Sequence, residues 1–134
     1  MDAQISQYIE ELAATYPAIT SAWLIGSRAN GTAKPTSDWD ILLFSDEAVV
    51  KAIAGNDRFH RKDVDLLIVK ESGQFEKPWG IPKSGSLARW QWQQESPLEA
   101  SYVEVKFIPD APDSQHGEMV EKRVRAIRVY PPKG

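Results

Sequence analysis

The stretch from Ala22 to Phe44 limits what this chain can become more than any other. An apolar run, Ala22-Trp23-Leu24-Ile25, stops at Gly26-Ser27; a polar interval broken by Asn30-Gly31 and Pro35 follows; then Ser37-Asp38-Trp39-Asp40 runs into Ile41-Leu42-Leu43-Phe44. Short apolar runs bounded by turn residues predict two buried strands. Glycine at 26 lets the backbone turn sharply and approach a ligand closely. Ser27 is placed to cap a short helix or turn reaching Lys34, whose free N–H groups suit a phosphate. Side chains alternate along a strand, so Asp38 and Asp40 project from one face and Trp39 from the other, toward the core. Aspartate is a poor strand former, and two of them at alternate positions call for a compensation that a bound cation would supply. Two carboxylates beyond a phosphate cradle make a hard-cation site, and the cation that travels with phosphates is usually Mg²⁺.

Gly26-Ser27, then Gly31, then Ser37-Asp38-Trp39-Asp40 resembles the Gly-Ser…Asp-x-Asp signature of the DNA polymerase β-type nucleotidyltransferase superfamily, and in particular its minimal nucleotidyltransferases. The resemblance covers roughly Ile5 to Lys70. It implies an α+β, polymerase β palm-like fold: a mixed sheet with an N-terminal and a connecting helix. It also implies a third carboxylate on a strand beside the Asp-x-Asp strand. Asp65, in Val64-Asp65-Leu66-Leu67, matches that position best; Asp63 and Glu104 are the alternatives. The implied reaction is transfer of a nucleoside monophosphate from a nucleoside triphosphate, ATP being the expected one, to a hydroxyl on a protein, an RNA end or a small molecule, with loss of pyrophosphate. Asp38, Asp40 and Asp65 would hold two Mg²⁺ ions, with Mn²⁺ as a substitute, while Gly26, Ser27, Arg28 and Ser37 bind the nucleotide. Arg28 and Lys34 could each neutralise phosphate or remain a solvated charge, and Ser37 could simply turn the chain into the strand. Some minimal relatives act on a helical protein partner, which this chain's longer second half makes a looser expectation. A nucleotide-binding regulatory protein with negligible turnover, or an interaction module with structural aspartates, are the competing classes.

The chain of 134 residues suits one domain with a real core. There is no apolar run of membrane-spanning length and no leader pattern. The absence of cysteine excludes disulfides and thiolate metal sites and fits a cytoplasmic protein. A net charge of −3 offers no global attraction to a long nucleic acid.

Ile5, Tyr8, Ile9, Leu12 and Ala13 follow helical spacing behind Asp2 as cap and end near Pro17. A second helix is expected over 46–55, opened by acids and closed by Gly55, leading past His60, read as a surface residue, to a strand over 63–69. The segment 71–86, with three glycines and two prolines, is expected as a loop. Its Phe75 or Trp79 could stack on a base, or the whole could be a connector. Beyond it, alternation of Ala88, Trp90 and Trp92, and of Val103, Val105 and Phe107, predicts an antiparallel hairpin with the tryptophans in the core. A loop carrying His116 and a basic final strand ending at Tyr130 complete a strand-rich extension over 87–134.

Overall fold

The computed structural model describes residues 1–108 and 117–132; the expected loop around His116 lies outside them. Helix α1 (Ala3–Thr15) starts where the Asp2 carboxylate accepts from the backbone N–H groups of Gln4 and Ile5, and it buries Ile5, Tyr8, Ile9, Leu12 and Ala13. Strand β1 (Ser21–Ile25) leads into a one-turn helix α2 (Ser27–Asn30) and back through β2 (Trp39–Phe44). Helix α3 (Glu47–Ala54), capped by Asp46 and ended at Gly55, crosses over to β3 (Val64–Val69). These three strands form the centre of one sheet: β1 runs antiparallel to β2, and β2 parallel to β3. The parallel pairing is what demands a helical crossover.

The remaining strands differ from expectation in two places. Segment 71–86 is not an open loop: β4 (Gln74–Glu76) adds to the edge of β3, and β5 (Ser84–Ser86) adds to β4. Phe75 anchors it, being almost fully buried. The Ala88–Trp92 alternation is not a strand either. Residues 87–92 form a turn in which Trp90 and Trp92 donate backbone N–H groups to Ser86 and Leu87 carbonyls, and only Gln93–Gln94 (β6) extends. The long hairpin is built instead by β7 (Glu99–Ile108) and β8 (Glu118–Tyr130), paired continuously from Glu99↔Ile127 to Ile108↔Glu118. The final segment is thus a strand, as its β-branched residues predict. The order across the sheet is β5-β4-β3-β2-β1-β8-β7-β6.

Strand alternation divides the apolar residues into two cores. Ala22, Leu24, Ile41, Leu43, Leu66 and Ile68 pack under α1, α3 and Phe59. Trp23, Ile25, Leu42, Leu67 and Val69 point the other way, where no helix of the described residues packs, and meet Phe75, Ala100, Tyr102, Trp90 and Trp92. Phe75 and Tyr102 belong to strands five positions apart, about 24 Å in a flat sheet. Yet both ring centroids lie within about 5 Å of Trp90, at 4.7 and 5.2 Å. The sheet therefore curls into a half-barrel around the tryptophan turn. The mouth of that half-barrel is where β1, β2 and β3 deliver the motif residues.

Candidate active site

Asp40 and Asp65 are direct register partners on adjacent parallel strands, and Asp40 also pairs across β1 with Ile25, the residue before Gly26. They share the parity of Leu42 and Leu67, so both carboxylates stand on the helix-free face. Gly26 has φ +68°, and a Cβ there would run into Asp40 Oδ2. Glycine is thus required twice, by conformation and by contact. The Gly26 N–H donates to the Tyr102 hydroxyl at 3.0 Å, which ties β7 to the motif across 76 residues. Burial pushes the Tyr102 hydroxyl pKa up, so it stays a neutral acceptor. Tyr102→Phe leaves that N–H without its partner and is expected to cost about 1–2 kcal/mol, read from urea denaturation.

The electrostatics mark a site with too much negative charge. Burial first, then Asp65, then Asp38, lift the Asp40 pKa to about 6, while Lys83 and Lys77 pull the other way. Asp65 faces the Lys77 ammonium at 2.5 Å. The pair is close but badly aligned: Asp65 Oδ1 is enclosed and receives no directed hydrogen bond. Asp38, exposed just ahead of β2, opens with Asp65, Lys77, His60 and Trp79 onto an adjoining cleft of 440 Å³. The main cleft, 480 Å³, has Ile25, Gly26, Asp40, Asp65 and Leu67 as its floor. Lys83, Arg89, Trp90, Gln91, Tyr102 and Glu104 line the rest of it, with the Lys83 ammonium 5.9 Å over the Trp90 ring. Cations, aromatics and carboxylates thus converge in a space large enough for a small ligand.

The other sequence candidates are placed differently. Ser27 opens α2 beside Gly26, and its hydroxyl is not engaged by another described residue. The Arg28 guanidinium donates to the carbonyls of Ser37 (2.7 Å) and Pro35 and lies over the Trp39 ring, 4.3 Å from its centroid. The Ser37 hydroxyl accepts from the Lys34 N–H at 2.8 Å. Both side chains hold the loop that presents Asp38. Asp63 is held outward by a two-pronged pair with Arg61 at 2.7 and 2.8 Å. Glu104 also lines the main cleft, two residues after Tyr102 on β7. His60 hydrogen-bonds to the Ile53 carbonyl and stacks on Trp79, a structural pairing that makes it half-buried instead of a surface residue. Lys77, Lys83, Arg89, Gln91 and Tyr102 were not singled out by the sequence. The clue was the cation content of the supposed loop.

Among the described residues no three acidic or histidine side chains converge into a ready cation cage. Asp40 and Asp65 nevertheless fit a divalent ion: one is driven toward protonation by burial and by its acidic neighbours, and the other carries an oxygen without a directed donor. A cation would relieve both, with Lys77 giving way.

A family model for the nucleotidyltransferase domain matches residues 5–126. The chain belongs to that family. The match runs through β7 and into β8, well past the Ile5–Lys70 stretch that carries the motif. Among solved structures, this nucleotidyltransferase-domain chain is similar to a protein from Sulfolobus solfataricus assigned as a nucleotidyltransferase: 30% identity, 51% of this chain, 65% of that chain, TM-score 0.40. The chain thus spans less than two thirds of that protein. No curated protein matches the sequence.

Proposed function

We propose that the protein binds a Mg²⁺–nucleoside triphosphate in the main cleft and transfers the nucleoside monophosphate to an acceptor hydroxyl. The observation that carries this is the pairing of Asp40 with Asp65 in register against the Gly26 backbone, on the open face of the sheet. The β1–β3 core would be the palm-like unit of the polymerase β superfamily, in a single domain whose later strands complete the cleft. Asp40 and Asp65, with Asp38 at the rim, would hold two metal ions. When bound, Mg²⁺ supplies neutralisation of phosphate charge and acidification of the acceptor hydroxyl. The chain's own part is positioning and charge. Gly26 admits the phosphates close to the backbone, Ser27 offers a hydroxyl, and Lys83 and Arg89 face the triphosphate. The acceptor oxygen bonds to the α-phosphorus as the bond to pyrophosphate breaks, and Asp65 takes the hydroxyl proton. Arg28 and Ser37 act by fixing Asp38. ATP is the expected donor, and the acceptor is a protein, an RNA end or a small molecule, a helical partner among them. A cytoplasmic setting belongs to the same proposal, as the absence of cysteine suits it; no helix among the described residues is long and apolar enough to cross a membrane.

Thermal stability of wild type and Asp40→Asn, with each nucleoside triphosphate and with or without Mg²⁺, tests this. Ligand at 100 times its dissociation constant adds about 2.7 kcal/mol. A Mg²⁺-dependent shift absent from the variant is expected; no shift with any nucleotide would count against the reading.

One observation favours a second reading, a nucleotide-binding regulator held silent: Lys77 already neutralises Asp65. Lys77→Ala separates the two. As a countercharge that the metal displaces, its loss lowers apo stability by about 1–2 kcal/mol and enlarges the stabilisation by Mg²⁺–nucleotide. An enlarged shift accompanied by transfer activity in wild type eliminates the silent regulator.

A further inference from the structure

The Tyr102 hydroxyl has a proton without a partner. Its oxygen accepts the Gly26 N–H at 3.0 Å. A phenol is also a donor, yet no acceptor among the described residues takes its proton. The residue is only 6% exposed, and a buried donor left unmatched is costly. Its position is tightly held. The ring stacks on Trp90 at 5.2 Å and 26°, and lies 6.3 Å from Trp92 at 19°. The Val103 N–H donates to the Trp90 carbonyl at 2.7 Å, which locks this stretch of β7 to the turn.

Gly26 lies so close to Asp40 that a Cβ would meet Oδ2; a hydroxyl resting on the Gly26 N–H is therefore held beside that carboxylate. All three residues line the main cleft. With the Gly26 N–H occupying the protein side of the oxygen, the proton faces the cleft. Burial first, then the charges of Glu104 and Asp40, keep the phenol protonated, so it is a donor at neutral pH. The N–H bond to its oxygen also polarises the O–H and strengthens that donor. Gly26 has no free backbone group of its own, because its carbonyl accepts from the Ala29 and Asn30 N–H groups and from the Asn30 amide. What this glycine presents to a ligand is the phenol on which its N–H rests. An ammonium in that place would pair with Asp40 as Lys77 does with Asp65. An uncharged phenol leaves the carboxylate open to a cation and waits for an acceptor, which phosphate oxygens are.

We infer that the Tyr102 hydroxyl donates to a non-bridging phosphate oxygen of the nucleotide, relaying the Gly26 N–H to the ligand. This rests on the nucleotidyltransferase reading of the same cleft and places a residue of β7 in the triphosphate site. Lys83 and Arg89 supply charge to that anion; Tyr102 supplies a fixed direction.

The test is calorimetric titration of wild type, Tyr102→Phe and Asn30→Ala with Mg²⁺–tripolyphosphate and Mg²⁺–ATP. Phenylalanine keeps the ring but removes both the donor and a support of Gly26. Asn30→Ala is the control for support alone: the amide holds the Gly26 carbonyl at 2.9 Å and does not line the main cleft. Urea midpoints verify that both variants fold. Tyr102→Phe is expected to weaken both ligands by about tenfold or more, as loss of a hydrogen bond to a charged group does. The factor should be the same for both, because the contact is with phosphate and not with the base. Asn30→Ala should stay within about twofold of wild type, well short of a lost hydrogen bond to a charged group. In wild type labelled with ¹³C at the tyrosine ζ carbons, tripolyphosphate added at saturating Mg²⁺ should shift the line that Tyr102→Phe lacks. An unmoved line, unchanged affinity in Tyr102→Phe, or an equal loss in Asn30→Ala overturns the inference. A loss confined to ATP, or a wild type that binds ATP but not tripolyphosphate, overturns it as well while leaving the nucleotide reading standing. Failure of wild type to bind either ligand overturns both.

Discussion

Asp40→Asn is expected to abolish nucleotidyl transfer, by at least about 10³-fold in kcat, while making the metal-free protein more stable at neutral pH. A thousandfold loss corresponds to about 4 kcal/mol of transition-state stabilisation, within reach of a single charged group at a phosphoryl-transfer centre. The stability gain follows from linkage. The Asp40 pKa is raised from the ordinary carboxylate value to about 6. Between those two values the folded protein binds the extra proton and the unfolded chain does not, so stability falls as pH rises through this window. Well above pH 6 the wild type carries the full penalty of an ionised carboxylate that is partly buried and stands beside Asp65. Discounted for the solvent contact Asp40 keeps, that penalty is on the order of 1–2 kcal/mol. The amide has the same shape and no charge, so apo Asp40→Asn should be more stable than wild type by that amount at pH 7 and indistinguishable from it below about pH 4. Urea denaturation between pH 4 and 7.5, without metal, measures the difference. A variant less stable than wild type at pH 7 would make Asp40 a structural residue. With Mg²⁺ present the order should invert, because only the wild type gains from the ion. Proton and cation compete for the same oxygens, so Mg²⁺–nucleotide affinity should weaken as pH drops below 6.

What could be read from the sequence was local. Ala22–Ile25 and Ile41–Phe44 declare themselves as strands because both of their faces are buried, and Asp46 and Gly55 bracket α3 because caps are nearest-neighbour chemistry. Asp40 beside Asp65 needed only the assumption of two adjacent strands, which the length of the 46–63 crossover supports. The other side of the cleft could not be read this way. Alternating Ala88, Trp90 and Trp92 suits a strand as well as a turn pressing its rings on a core, and what decides is Phe75 and Tyr102 closing on Trp90 from opposite ends of the sheet. Tyr102 scans as an ordinary strand residue until its hydroxyl is found at Gly26. Lys77 looks like loop charge until β4 and β5 carry it back to Asp65. Each of these depends on the sheet's curl, a property of eight strands together and not of any window of sequence.

Gly26→Ala should be the most damaging small substitution in the molecule, and its mechanism can be separated into two parts. Alanine at φ +68° costs about 1–2 kcal/mol in conformation alone. The new methyl group also meets the Asp40 carboxylate, which has the β2 backbone behind it and Asp65 beside it. Overpacking of this kind costs about 1–3 kcal/mol more, for a total of about 2–5 kcal/mol in urea denaturation. Gly31→Ala is the internal control: φ is +73°, but a Cβ there meets nothing within 4 Å. It should therefore show the conformational cost only. If the collision with Asp40 is real, shortening the partner must relieve it. The double variant Gly26→Ala/Asp40→Ala should regain about 1–3 kcal/mol relative to the sum of its single variants, since the two side chains compete for one volume. Additive losses would place the damage in the backbone alone and detach Gly26 from the carboxylate site. Transfer activity should stay absent in the double variant even where stability returns, because space is restored by removing a carboxylate that the metal requires.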